Sequence, residues 1–392
     1  MTAIDRFLTY VTFDTTSDET SDICPSTAKQ LILADYLVKE LKDIGLTDAM
    51  RDENGYVYGH VPASTGMENV PKIGLIAHMD TSPDVSGKDV KPQIITFDGN
   101  NAPMVDKRYH GEQLIVTDQT TLLGADDKAG VAEIIAACDV LMKEKTVKHG
   151  QISICFTPDE EIGRGADKFD FERFDAVYAY TVDGGELGGI ECENFNAASV
   201  KLIVHGINTH PGSAKNKMRN AILFLHEFIA LLPPAETPAH TEGYEGFYHI
   251  NAVEGDETTA SLHMLIRDHS DEMFEKRKAF IADTVRYLNR KYGENTFDLT
   301  ITDSYRNMRV IIDKYPEIVK RAENAMRACG VTPEITAIRG GTDGARLSFE
   351  GLPCPNLSTG GMGFHSIYEA IPVKALEKMT EVLVKLVSAS EA

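Results

Sequence analysis

Paired cysteines are missing from this chain of 392 residues: Cys24, Cys138, Cys155, Cys192, Cys329 and Cys354 are scattered, with no Cys-x-x-Cys among them. That argues against a thiolate zinc site and a disulfide framework, and several of the six sit inside apolar periodic segments, as buried free thiols would. Basic charge is also short, with 39 Lys and Arg against 60 Asp and Glu and a formal net charge of −21. Nucleic acid and anionic membranes require a basic footprint, so neither is expected as a partner, and the acidity reads as solubility. No apolar run approaches the ~18 to 20 residues of a membrane span. Met1 to Tyr10 lacks the basic, apolar and small-residue progression of a signal peptide, which makes the cytoplasm the expected location. Internal repeats and low-complexity segments are absent too.

What is present is a regular rhythm of strands and helices. The length exceeds the ~250 to 300 residues at which a single core stops growing, so two domains are expected. Runs Ile73–Ala77, Ile152–Phe156 and Val177–Val182 are short, apolar and rich in β-branched and aromatic residues, the mark of buried strands. They alternate with helical segments such as Ala129–Lys143, which predicts an α/β fold with a mostly parallel sheet. Pro25–Ile44 reads as a helix with Thr27 and Gln30 at capping-box spacing and Gly45 as its stop.

Between Phe195 and Asn307 the rhythm changes to strand Ser199–His205, helix Ala221–Leu232, hairpin Gly246–Val253 with Ala260–Arg267, helix Asp271–Tyr292 and strand Phe297–Thr302. That β-α-β-β-α-β order is ferredoxin-like. The expected organisation is therefore a discontinuous catalytic domain, residues 1–194 and 308–392, with a lid domain inserted at 195–307. Pro316–Cys329 and Val373–Val387 read as further helices, and Pro355–Ser358 as a short strand.

Acids and histidines stand where the apolar runs end. Ligands of open α/β sheets bind at the carboxyl ends of the strands, so His78-Met79-Asp80, Asp126-Asp127-Lys128, Glu160-Glu161 and Asp183 should converge. Imidazole and carboxylate without paired cysteines suit zinc or a related divalent ion in an open, catalytic site. In His78-Met79-Asp80, alternate side chains share a face, so the aspartate can accept the second ring N–H and fix the tautomer. Capping of a helix start accounts for one of Asp126 and Asp127 but not obviously for both. Asp159, Glu160 and Glu161 repel one another unless a cation intervenes. His365 follows a glycine-rich turn at Gly360-Gly361-Met362-Gly363.

The ordered series His78-Met79-Asp80, Gly124-Ala125-Asp126-Asp127-Lys128, Asp159-Glu160-Glu161, Asp183-Gly184-Gly185, Thr209-His210-Pro211-Gly212 and Arg339-Gly340-Gly341-Thr342 resembles the dinuclear zinc peptidases of the aminoacylase and carboxypeptidase clan. Glu193-Asn194-Phe195-Asn196 and Thr241-Glu242-Gly243-Tyr244 are similar to its tripeptide aminopeptidases, the peptidase T group, and the likeness runs over essentially the whole chain. It implies two Zn2+ per subunit, replaceable by Co2+ or Mn2+, bridged by Asp126. His78 and Asp183 would complete one ion's ligands, and Glu161 and His365 the other's. By the same resemblance the Asp126–Asp127 peptide is cis, Glu160 is the general base, and Asp80 and His210 are catalytic, His210 at the oxyanion. Gly363-Phe364-His365-Ser366-Ile367-Tyr368-Glu369 keeps the histidine but departs after it from the group's more usual His-Gly-Lys.

Arg267 and Arg339, by family position, are candidates for the substrate's terminal carboxylate, which a bidentate guanidinium suits. The resemblance supports short peptides, tripeptides in particular, and leaves room for a homodimer. A dipeptidase, a non-peptide amidohydrolase and a metal-binding protein without turnover remain as alternatives.

Overall fold

The apolar runs form adjacent strands because each is buried on both faces, and a strand buried on both faces requires helices above and below it. The computed structural model describes residues 1–389. Ile152–Thr157, Ile73–His78, Tyr178–Val182 and Asn356–Leu357 lie side by side and parallel. Antiparallel neighbours flank them: Val57–Val61 beside Ile152–Thr157, and Gly189–Asn194 beside Asn356–Leu357. The sheet has eight strands in all, with Met50–Arg51 at one edge and Glu334–Ile338 at the other. Helix Ala125–Lys143 packs along it, contacting helices Ala3–Tyr10 and Val373–Val387. No helix among the described residues is long and apolar enough to cross a membrane.

The chain divides into two units. The first comprises Met1–Cys192, Met308–Thr336 and the residues from Thr342 on. The second comprises Glu193–Asn307 together with Ala337–Gly341, a segment that no sequence periodicity announces. Its four strands are Asn196–His205, Phe247–Gly255, Thr259–Asp268 and Phe297–Tyr305, all pairings antiparallel, with the second strand beside the third, the third beside the first and the first beside the fourth. Helices Ala221–Ala230 and Asp271–Tyr292 cover one face, where Val200, Leu202, Leu262, Met264, Phe228 and Phe274 form a core of the unit's own. Burial of each such side chain contributes about 1.5–3 kcal/mol.

Two features differ from the sequence reading. The helix expected over Pro25–Ile44 begins only at Gln30, and Lys29, which precedes it, makes no side-chain cap. Thr27 and Gln30 form no capping box because Gln30 donates to buried Asp159 at 2.7 Å, and Ser26 binds the same carboxylate through its N–H at 2.7 Å. Satisfying that acid from a turn outweighs another turn of helix. A separate three-stranded sheet, Gln93–Thr96, Gln113–Val116 and Ile371–Pro372, also went unseen. Its first strand is mostly exposed, so hydrophobic alternation is weak there.

Candidate metal centre

Strand register brings the chemistry together. His78 pairs with Thr157, and Ile76 with Thr181, so three parallel strands end at nearly one level. His78 ends its strand, Glu160 and Glu161 follow Thr157 in a short 3-10 turn, and Asp183 follows Val182. The helix Ala125–Lys143 supplies Asp126 from its first turn, where Asp126 and Asp127 depart from helical dihedrals and their peptide is cis. A glycine permits this approach: a Cβ on Gly130 would lie 1.9 Å from the Val182 carbonyl oxygen and 2.5 Å from Asp127 Oδ1.

Asp126 faces both histidines, one oxygen to each. Its Oδ1 lies 2.9 Å from His78 Nε2, and its Oδ2 lies 3.5 Å from His365 Nε2. On the first side Asp183 Oδ1 is 3.6 Å from His78 Nε2, and on the second Glu161 Oε2 is 2.9 Å from His365 Nε2. Glu160 stands further off, 4.0 Å from His78 Nε2. Asp127, beside His78 and Asp183 in space, is already engaged: it accepts the N–H of His78 and the N–H of Gly130, both at 3.1 Å. It joins the strand end to the helix.

The electrostatics call for a cation. Asp126 and Glu161 push the His365 imidazole up to about 11, against burial. Burial would lower His78, but Asp183, Asp126 and Asp80 outweigh it and raise it well above the usual value. Burial and then Asp126 raise Glu161 to about 7 and Asp183 to about 6. Burial and then the Asp343, Asp183 and Glu161 carboxylates raise Glu160, with His78 opposing. Crowding and burial thus disfavour the charged forms of Glu160, Glu161 and Asp183, a cost that a divalent ion would relieve. Glu161 Oε1 is buried with no hydrogen-bond partner, an acceptor that an ion would satisfy. Two imidazoles and three carboxylates are a donor set suited to zinc, so the residues fit such ions.

The remaining expected residues divide. Asp80 is fully buried and acts from behind: its backbone carbonyl lies 3.1 Å and its Oδ1 3.3 Å from His78 Nδ1, and the carboxylate accepts the N–H groups of Glu160 at 3.0 Å and Glu161 at 3.2 Å. It orients an imidazole and holds the acidic turn at once. Within the second unit, His210 sits on an exposed turn where Nδ1 accepts the Gly212 N–H, leaving Nε2 without a partner among the described residues. Arg339 lies over Phe195 and Phe247 and donates to the carbonyls of Thr241, Gly243 and Glu245. Its guanidinium thus binds the Thr241–Glu245 backbone as well as lying against two rings. Arg267 donates once, to the Arg339 carbonyl.

Three residues near the centre were missed. Asp84 Oδ2 lies 3.2 Å from His365 Nδ1, repeating at the second histidine what Asp80 does at the first. Asp343, buried at the start of helix Asp343–Phe349, accepts from Thr157 Oγ1 at 3.2 Å, and burial and then Asp80 raise it to about 7. Glu369 is buried and accepts three backbone N–H groups. The Asp84 of Thr81-Ser82-Pro83-Asp84 was open to detection as a second acid near His78; its partner, 281 residues away, was not.

Comparison with known proteins gives one answer. The profile of peptidase family M20/M25/M40 matches residues 123–389. A protein named Peptidase T from Caldanaerobacter subterraneus is 53% identical over 399 aligned positions, covering 98% of this chain and 97% of the relative. Among solved structures, the aminopeptidase PepT from Bacillus cereus superposes with a TM-score of 0.80 at 27% identity, covering 98% of this chain and 97% of that one. A tripeptidase from Staphylococcus aureus superposes with a TM-score of 0.79 at 25% identity, covering 98% and 96%. Sequence and fold agree over nearly the full length, and the chain belongs to peptidase family M20/M25/M40, the metal-dependent peptidases.

Proposed function

We propose that the chain is a tripeptide aminopeptidase that removes the N-terminal residue from short peptides with two zinc ions. The observation that carries this reading is Asp126, whose two oxygens face two different histidines at 2.9 and 3.5 Å, each histidine with a further carboxylate. Asp126 would hold both ions, His78 and Asp183 one, and Glu161 and His365 the other. Bound there, such ions supply the Lewis acidity that polarises a scissile carbonyl and acidifies a water. Glu160, set back from His78 and raised above the usual carboxylate range, takes the water's proton and returns it to the leaving amine. Asp80 keeps His78 in one tautomer and keeps the Glu160 turn in place.

Recognition of the peptide falls to the second unit in this reading. Arg267, with a single hydrogen bond, takes the terminal carboxylate, while Arg339 holds the Thr241–Glu245 loop. His210 donates from its free Nε2 to the oxyanion. The names of the relatives, Peptidase T and tripeptidase, support tripeptides over other amides. The test is a panel of free and N-acetylated di-, tri- and tetrapeptides, assayed with and without added zinc. Zinc-dependent cleavage of free tripeptides, with acetylated ones resistant, is expected. Preference for dipeptides or acetylated substrates would overturn the assignment.

A further inference from the structure

The helix that carries Asp126 has an end it cannot cap itself. Its N-cap is Gly124, in the left-handed region at φ 81°, with no side chain to accept the N–H groups left open at a helix start. Glu369 fills that gap from 245 residues away. Its Oε2 accepts the N–H groups of Leu123 at 2.8 Å and Gly124 at 2.7 Å, and its Oε1 accepts the N–H of Asp126 itself at 3.0 Å. The side chain is buried, so no water competes for these bonds.

Glu369 also belongs to the loop that carries His365. Met362 and Ala370 exchange N–H···O bonds of 2.9 Å in both directions, closing residues 362–370 into a loop. Inside it, Ser366 Oγ donates to the Gly363 carbonyl at 2.6 Å and accepts the Tyr368 N–H at 3.1 Å. His365 and Glu369 are therefore parts of one tight turn, and the carboxylate is its anchor on the Asp126 segment.

We propose that Glu369 is a positioning residue that locks the His365 loop to the Asp126 loop and so sets the spacing of the second ion's ligands. This rests on the reading of Asp126 and His365 as ligands. Glu369→Gln keeps the shape but presents an amide NH2 to at least one of the three N–H groups, and Glu369→Ala removes all three acceptors.

Two measurements on the full chain test it. Hydrogen exchange of the metal-free protein reads the lock itself: at least one of the amides of Leu123, Gly124 and Asp126 should exchange faster in Glu369→Gln than in the wild type, and all three in Glu369→Ala. Zinc titration reads its consequence, with His365→Ala as control. One of the two zinc affinities should fall about 10- to 100-fold in Glu369→Gln, the range usual for a partner behind a ligand, while the other is unchanged. Added zinc should restore turnover to Glu369→Gln with little change in KM. Wild-type exchange at the three amides, or equal loss of both ions with a lower melting temperature, would overturn the proposal. If His365→Ala keeps both ions, the ligand reading fails first, and the exchange result alone then shows whether the two loops are locked.

Discussion

The two histidines of the centre occupy unlike surroundings. His78 ends a strand in the middle of the sheet with its side chain 2% exposed, whereas His365 stands on a loop with left-handed backbone at φ 56° and is 41% exposed. The acids behind them differ in the same sense: Asp80 is fully buried, and Asp84 is 64% exposed. A ligand on a strand is placed by the sheet's own hydrogen bonds, but one on a loop needs outside support. The first half of the centre is therefore built into the fold, and the second is assembled onto it.

Stripping both ions is the bluntest way to break this contrast. Hydrolysis should stop altogether and return with zinc, cobalt or manganese; activity in a preparation shown by elemental analysis to be metal-free would refute the scheme. Next in size, Glu160→Gln should lower turnover by ~10² to 10⁴ with about two ions retained, because in the proposed scheme Glu160 serves neither half as a ligand. Glu161→Ala should lose an ion first, and the reverse pattern would exchange the two roles. His210→Ala should cost ~10² to 10³ in kcat with little change in KM, since its donor acts as charge develops. Wild-type turnover in that variant would leave it a surface turn.

Finer still is the comparison of the two supporting acids. Asp80→Asn should weaken zinc about 10- to 100-fold, whereas Asp84→Asn, screened by solvent, should do less and should fade further at high salt. Equal losses measured by zinc titration would mean that exposure does not decide the contribution of these partners. Read in stability rather than in zinc affinity, and confined to the rigid half, Gly130→Ala should destabilise the fold by about 1–3 kcal/mol in denaturant melts, because its Cβ meets the Val182 carbonyl.

The same contrast separates what the sequence reveals from what it hides. His78, Glu160, Glu161 and Asp183 stand directly after apolar runs, so local periodicity marks the strands and chemistry marks their ends. In the second unit the hairpin and helices are local in sequence and so were readable, whereas Ala337–Gly341, distant in the chain, was not. Glu369 and Asp84 were not, since each acts on a segment more than two hundred residues away and neither interrupts an apolar pattern. Thr27 and Gln30 misled for a related reason: a capping-box spacing is a local signal, and a distant buried Asp159 drew the residues elsewhere.

The interrupted path of the first unit has a consequence during synthesis. A ribosome delivers His78, Asp126, Glu161 and Asp183 early and His365 about 180 residues later, which at ~5 to 20 residues per second is roughly 10 to 40 seconds. In that interval the second unit, with its own core, can fold. On the proposed ligand set, the nascent chain cannot complete the two-ion centre until His365 has been added, so synthesis itself sets the order in which the two halves of the site appear.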